Sequence, residues 1–359
     1  MSTNPRIYLD YNATMPMVSA AREAMRAVLD QGLGNPSSIH ADGRRARDVV
    51  ERARDRIAVL VGRAREQIVF TSGGTEANAL GVLGLARVVE KRGEPRIVAS
   101  AATDHPSLLG AIHALVERGW EHRPLSGQSG ARLVALSAVN HELGTLLDPA
   151  HLAAARAAHA LIHVDAVQLA GKRAIAIDAD SIAISAHKIG GPQGVGALAI
   201  TVDDGLPLIE AGHQERERRG GTENTIGIAG FGAAVGAIDL DAWPRIADLG
   251  DRLEAGLVAL GARINGSGER IGGTINAAFG GVRGESVVIG LDLAGISCST
   301  GAACTSGSIQ PSKVLLALGQ SPDEAREAVR FSLGTPTTSA DIDAVLAALP
   351  SILARARPR

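Results

Sequence analysis

Six short segments carry residues that could do chemistry. SAHKIGGPQG (185–194) is an apolar run ending in Ser185, His187 and Lys188 and then glycines. A lysine there could be a desolvated amine that forms a Schiff base with an aldehyde, its pKa lowered by burial and nearby positive charge. Alone it could equally be a surface lysine. TSGGTEAN (71–78) follows a strand and opens a helix, so free backbone N–H groups and the Thr75 hydroxyl converge on one spot, and Gly73 and Gly74 allow close approach. That is a ready phosphate site, or a plain glycine turn. In HVDAVQ (163–168), Asp165 ends an apolar run and could face a protonated pyridine nitrogen, with Gln168 reaching a ring oxygen. It could also be a helix cap. In TDHPS (103–107), His105 is a ring available to stack on a flat ligand or to move protons, or else a structural histidine.

CSTGAACTSGS (298–308) sets Cys304 among small residues, where an exposed thiol on a loop with little to pack suits a nucleophile that travels. Cys298 lies beside apolar LDLAGIS and reads as a half-buried structural thiol; a relay with Cys304 is the alternative. Arg330 in RFSLG could grip a carboxylate through paired N–H groups, or sit in a surface ion pair. No Cys/His cluster has zinc spacing and no GxxxxGK[ST] occurs, so no metal is expected.

These residues need a scaffold. QIVFT (67–71), RIVAS (96–100), LVALSAV (133–139), ALIHVDA (160–166) and SIAISAH (181–187) read as strands, with helical stretches such as PSLLGAIHALVERG and PAHLAAARAAHA between them. That alternation predicts an α/β fold with a mostly parallel sheet and helices on both faces, its ligand beyond the strands' carboxyl ends. RRARDVVERARDRIAVLVG (44–62) reads as an amphipathic helix whose arginines, interleaved with Asp48, Glu51 and Asp55, form a solvated face. After about residue 240 a long helix, TINAAF, a further helix and RFSLG predict a smaller α+β domain. The boundaries expected are 14–240 for the large domain, and 1–13 plus 241–359 for the small one.

Composition narrows the function. The 359 residues are 45 % hydrophobic and 21 % charged, as globular chains are, and carry a net charge of −2. Nothing in that balance draws the chain to nucleic acid or anionic lipid, and 2 % aromatic residues are few for stacking bases. No apolar run approaches the roughly 20 residues that span a bilayer. MSTNPRIYLDYNAT has no apolar signal core, and two cysteines are no disulfide framework. A cytoplasmic chain with free thiols is expected.

Taken together the segments resemble the cysteine desulfurases of the NifS/IscS type, in the class V aminotransferase group of fold type I. YLDYNAT (8–14), NPSSIH (35–40), FTSGGTEAN, TDH, VNHELG (139–144), HVDAVQ, SAHKIGGPQG, QERERRGGTEN (214–224), STGAACTSGSIQPS (299–312) and RFSLG follow in the family's order over nearly the whole chain. The resemblance implies a large pyridoxal 5'-phosphate domain and a small domain bearing the Cys loop. It implies Lys188 as the Schiff-base lysine, His105 stacked on the cofactor, Asp165 at its pyridine nitrogen and Gln168 at its ring oxygen. Gly74, Thr75, Ser185 and His187 then cradle the phosphate, joined by Thr222 from a second subunit, hence a homodimer. Asn140 and Arg330 hold ring and substrate carboxylate. Cys304 takes the sulfur of L-cysteine as a persulfide, leaving L-alanine and passing sulfur to an acceptor protein.

The chain departs from the pattern at His141, Gly190 and Gln193, where a second Asn, a Tyr and a Lys are common, at TMP (14–16) for TTP, and in its short tail after the last helix. These departures leave the acceptor open among iron–sulfur assembly, nitrogenase maturation, tRNA thiolation and DNA sulfur modification. A selenocysteine lyase is the same-class alternative. A non-catalytic sulfur-carrier or scaffold subunit is the different-class one. A plain aminotransferase would leave Cys304 without a task.

Overall fold

The computed structural model describes residues 6–32, 34–202, 209, 211–301 and 310–357. It is an α/β structure made of two compact units. One comprises Met15–Ala138 and Leu147–Ile238; the other comprises Met1–Thr14, Val139–Leu146 and Asp239–Arg359.

The larger unit carries seven strands: β1 (Ile68–Thr71), β2 (Ile97–Ser100), β3 (Glu121–Pro124), β4 (Leu133–Ser137), β5 (Leu161–Asp165), β6 (Ser181–Ser185) and β7 (Gly196–Ile200). They pair in the order β1-β7-β6-β5-β4-β2-β3. Only β7 runs against the rest, antiparallel to both neighbours; the pairs β6–β5, β5–β4, β4–β2 and β2–β3 are parallel. The central strands are short apolar runs buried on both faces, as parallel strands between helices must be. GALAI of β7 and the polar EHRP of β3 are strands that sequence periodicity did not reveal; β3 is an edge strand with no buried residue to mark it.

The helices of this unit are α1 (Ser19–Gln31), α2 (Ala41–Val61), α3 (Gly74–Lys91), α4 (Pro106–Val116), α5 (Pro149–Ala157) and α6 (Thr225–Gly236). α3 lies against β5, β6, β7 and α4, which explains why it is apolar nearly all round. Leu85, Leu108, Ile112, Leu115 and Leu133 are fully buried between sheet and helices, each worth about 1.5–3 kcal/mol relative to exposure. At Gly81 α3 lies close against the sheet: a Cβ there would fall 2.4 Å from His163 Nδ1.

α2 corrects one expectation. Its arginines do not all face water. Arg54 is 4 % exposed and makes a two-pronged pair with Glu215, Nη1 to Oε2 at 2.7 Å and Nη2 to Oε1 at 2.8 Å. Arg54 also donates to the Ile68 carbonyl and lies 4.8 Å from the centroid of Phe70, while the Phe70 amide donates to Glu215. A guanidinium can be buried there because every strong partner it needs is present.

The second unit has a three-stranded antiparallel sheet of β8 (Ala262–Ile264), β9 (Thr274–Phe279) and β10 (Ala328–Ser332), with β9 in the middle. Helices α7 (Trp243–Ala259), α8 (Gly284–Leu293) and α9 (Ser339–Ala356) pack on it around Leu9, Leu253, Phe279 and Phe331. Ile7–Tyr8 pairs in parallel with Ile296–Ser297. No described helix is long and apolar enough to cross a membrane.

Candidate active site

Strand direction gathers most of the predicted residues of the larger unit. β1, β2, β5 and β6 run the same way, and each ends in a segment singled out by sequence. Gly74 and Thr75 follow β1, His105 follows β2, Asp165 ends β5, and Ser185, His187 and Lys188 end or follow β6. This is where an open α/β sheet binds its ligand.

Asp165 is 6 % exposed. One carboxylate oxygen accepts from the Val167 amide at 2.9 Å and the other from Asn78 Nδ2 at 2.7 Å. The cap and the electrostatic role are therefore not exclusive: the same side chain closes its own turn and is fixed by α3. Burial pushes its carboxyl above the usual range, against the pull of the Val167 and Asn78 donors and of the charges at His105 and Lys188. Such a carboxylate is suited to a cationic N–H partner.

His105 caps α4. Its Nδ1 accepts from the Ser107 amide at 3.1 Å and lies 2.7 Å from the Ser107 hydroxyl. Burial holds the imidazole below its usual range; Asp165 opposes this and Lys188 adds to it. Lys188 closes a short 3₁₀ turn, Ala186–Lys188, and is half-buried. His187 beside it is pushed down to about 4 by burial and by Lys188.

The residues of the expected phosphate cradle fit an anion. Ser185 is 2 % exposed, and its hydroxyl oxygen is buried with no hydrogen-bond partner among the described residues. Gly74, the first residue of α3, faces it: a Cβ at Gly74 would fall 2.9 Å from Val167 Cγ2 and 3.4 Å from Ser185 Cβ. The glycine is required by that approach, and the helix amino terminus supplies N–H groups. Thr75 is exposed. Gln168 is buried and its Oε1 accepts from Lys172 Nζ at 3.1 Å.

Thr222 is exposed on the segment 214–224. That segment is tied down by Glu215 on Arg54 and by Arg219 on Glu76, Nε to Oε1 at 2.8 Å. Glu215, Arg216 and Glu217 all take left-handed backbone angles, a conformation costing roughly 1–2 kcal/mol per residue that these pairs help to offset.

Asn140 and Arg330 belong to the second unit. Asn140 Oδ1 accepts from the amides of Glu142 and Leu143, both at 3.0 Å. Arg330 is 5 % exposed, so it is not a surface pair. It donates to Asp10 Oδ1 at 2.7 Å and to the His141 carbonyl at 3.0 Å, while its Nε is buried without a hydrogen-bond partner among the described residues. Cys298 is half-buried against this unit's core, and burial pushes its thiol up to about 12. That is an inert thiol at neutral pH. Cys304 lies outside the described residues. Among the described residues no group of three or more His, Cys, Asp or Glu could hold a metal ion.

Sequence reasoning missed Asn78, Ser107, His163 and Ser181. Asn78 Nδ2 donates to Ser107 Oγ at 2.8 Å as well as to Asp165, and its Oδ1 lies 3.0 Å from His163 Nε2. His163 Nδ1 lies 2.8 Å from Ser181 Oγ. The available signals were spacings. Asn78 is four residues after Gly74 on one helix face, and His163 is two before Asp165 on one strand face.

Full burial pushes His163 down to about 3. The unfolded chain takes up this proton near pH 6.5 and the folded chain does not, so stability is lost as pH falls from 6.5 toward 3, by about 1.4 kcal/mol per pH unit. His163→Gln is expected to be destabilised at pH 7, with a deficit about 2 kcal/mol smaller at pH 5. Denaturant melts at the two pH values check this; an unchanged deficit would contradict it.

The chain is similar to known proteins over nearly its whole length. The family described as Aminotransferase class-V matches residues 7–126 and 124–345. A protein named cysteine desulfurase IscS from Dictyoglomus turgidum is 36 % identical, covering 98 % of this chain and 95 % of that one. A solved structure of a NifS-like protein superposes with a TM-score of 0.88 at 29 % identity, covering 98 % of this chain and all of that one. A structure titled SspA in complex with cysteine gives a TM-score of 0.78 at 27 % identity, covering 92 % and 100 %. The chain belongs to the class-V aminotransferase family, among its cysteine desulfurases.

Proposed function

We propose that the chain converts L-cysteine to L-alanine with pyridoxal 5'-phosphate and stores the sulfur on Cys304 as a persulfide for an acceptor protein. What carries the reading is the buried, doubly hydrogen-bonded Asp165 sharing its surroundings with His105 and Lys188, beside the unpartnered Ser185 hydroxyl at the start of α3.

In this reading Lys188 holds the cofactor, His105 lies on its ring, Asp165 meets the pyridine nitrogen and Gln168 the ring oxygen. Gly74, Thr75, Ser185 and His187 hold the phosphate. Asn140 stands near the ring and Arg330 takes the substrate carboxylate. The bound cofactor supplies an electron sink for charge developing at the substrate's α-carbon. Lys188 is the group that would move the α-proton. The Cys304 thiolate attacks the substrate sulfur: the S–Sγ bond forms, the Cβ–S bond breaks, and its electron pair goes to carbon, which takes a proton. Alanine leaves and the persulfide remains. The unit of Met15–Ala138 and Leu147–Ile238 is the part that would hold the cofactor, and the small domain expected at 1–13 with 241–359, which groups with Val139–Leu146, is the part that would carry the Cys304 loop.

Asp165→Ala tests the electron-sink assignment. Activity is expected to fall by ~10²-fold or more while stability changes by only about 1–3 kcal/mol, the range for a buried hydrogen-bonding group. Rates and thermal melts on one variant decide; a stability loss with unchanged rate would leave Asp165 a cap.

Thr222 is proposed to reach the phosphate of a second copy, which makes the enzyme a homodimer; its exposure on a segment fixed by two ion pairs supports this. Sedimentation at micromolar concentration is expected to give a dimer. A fully active monomer would count against it.

A further inference from the structure

We infer that the resting imidazole of His105 is neutral, with its one proton on Nε2, and that a chain of hydrogen bonds centred on Asn78 keeps it there. The inference rests on the reading that His105 lies on the cofactor ring.

The argument starts from the one donor that cannot change role. The Ser107 backbone N–H points at His105 Nδ1, so that nitrogen is an acceptor and carries no proton. The neutral ring therefore bears its proton on Nε2. The Ser107 hydroxyl, 2.7 Å from the same Nδ1, must donate as well. It is free to do so because its oxygen accepts from Asn78 Nδ2.

Asn78 has no choice of orientation either. Its two amide hydrogens go to Ser107 and to the Asp165 carboxylate, so its Oδ1 accepts, and His163 must present Nε2–H to it. His163 Nδ1 then accepts from the Ser181 hydroxyl. Every donor from Ser181 to His105 points the same way, and such aligned bonds reinforce one another in a buried site. Asn78 is 1 % exposed, His163 0 % and Ser181 1 %.

Protonating Nδ1 would set its N–H against a fixed backbone N–H at the positive end of α4 and would require Ser107 to turn its hydroxyl away. The charges acting on the ring are Asp165, which favours a cation, and Lys188, which opposes one. Asp104, one residue back, turns its carboxylate onto the amides of Ala101 and Ser137. A ring so held can give a hydrogen bond from Nε2 without ionising.

Nitrogen-15 NMR of histidine-labelled protein tests this directly. The chain has 10 histidines, and His105 is assigned by the signal lost in His105→Gln. The wild type, with and without bound cofactor, is expected to show unprotonated Nδ1 and protonated Nε2 for His105, unchanged between about pH 6 and 9, the span over which an ordinary histidine titrates or has finished titrating. Asn78→Ala, which breaks the chain, is expected to raise the His105 midpoint by about one pH unit or more, a tenfold gain in proton affinity. A wild-type His105 that titrates in this range, or shows Nδ1–H, would overturn the inference. So would a His105 state indifferent to Asn78→Ala. The readout in cofactor-free protein is independent of turnover: a fixed Nε2–H state in a chain that forms no persulfide would sink the desulfurase reading alone.

Discussion

Replacing Lys188 by alanine is expected to abolish turnover of cysteine and to remove the visible absorbance of the bound cofactor. The lysine ends a short turn after β6, half-buried, with Asp165 and His105 acting on it and the anion cradle formed by residues of the same unit. Among the segments gathered at these strand ends it supplies the amine. If Lys188 is, as proposed, both the covalent anchor and the base that moves the α-proton, its loss should lower kcat/KM by at least ~10³-fold, about 4 kcal/mol of barrier. In the proposed reading the phosphate is held through Ser185 and the start of α3 without the amine, so the variant should still take up cofactor weakly and release it on gel filtration. Absorbance spectra and alanine production are the measurements. A variant with near-normal rate would remove Lys188 from the mechanism.

Cys304→Ser should behave differently. It is expected to bind cofactor and keep the colour, to bind cysteine, and to release almost no alanine, with a rate loss of ~10³-fold or more, because a serine hydroxyl is not ionised at neutral pH and cannot take sulfur. Cys298 should not rescue it. That thiol is half-buried against the core of its unit, and burial that pushes it up to about 12 leaves almost no thiolate at neutral pH. Cys298→Ser should accordingly keep most of the activity. The contrast separates the two roles: Lys188→Ala loses colour and rate together, Cys304→Ser loses rate alone. A selenocysteine lyase would separate them otherwise, since release of selenium need not pass through Cys304; equal loss on cysteine and selenocysteine favours the desulfurase.

The sequence made the chemistry more visible than its supports. Asp165, Ser185 and Lys188 stand out because apolar runs end in them, and a parallel sheet delivers such ends to one side. Gly74 stands out because nothing larger fits against Val167 and Ser185. The second layer is hidden for a physical reason. Asn78, Ser107, His163 and Ser181 are polar residues whose only mark is burial, and burial comes from strands and helices distant in sequence: Asn78 meets His163 across 85 residues. Arg54 was misread for the same cause. Its neighbours along α2 are charged and solvated, while its partner Glu215 lies 161 residues away. The edge strand Glu121–Pro124 has no apolar alternation to read because only one of its sides is paired. The antiparallel β7 follows from pairing rather than from any feature of GALAI.

The most direct measurement is the place of the sulfur. The wild-type holoenzyme is exposed briefly to L-cysteine without reductant, digested, and mapped by mass spectrometry. The result expected is the mass of one added sulfur on the peptide containing Cys304 and on Cys304 itself, with alanine formed in equal amount and Cys298 unmodified. Sulfur on Cys298, or alanine formed with no sulfur held by the protein, would contradict the account.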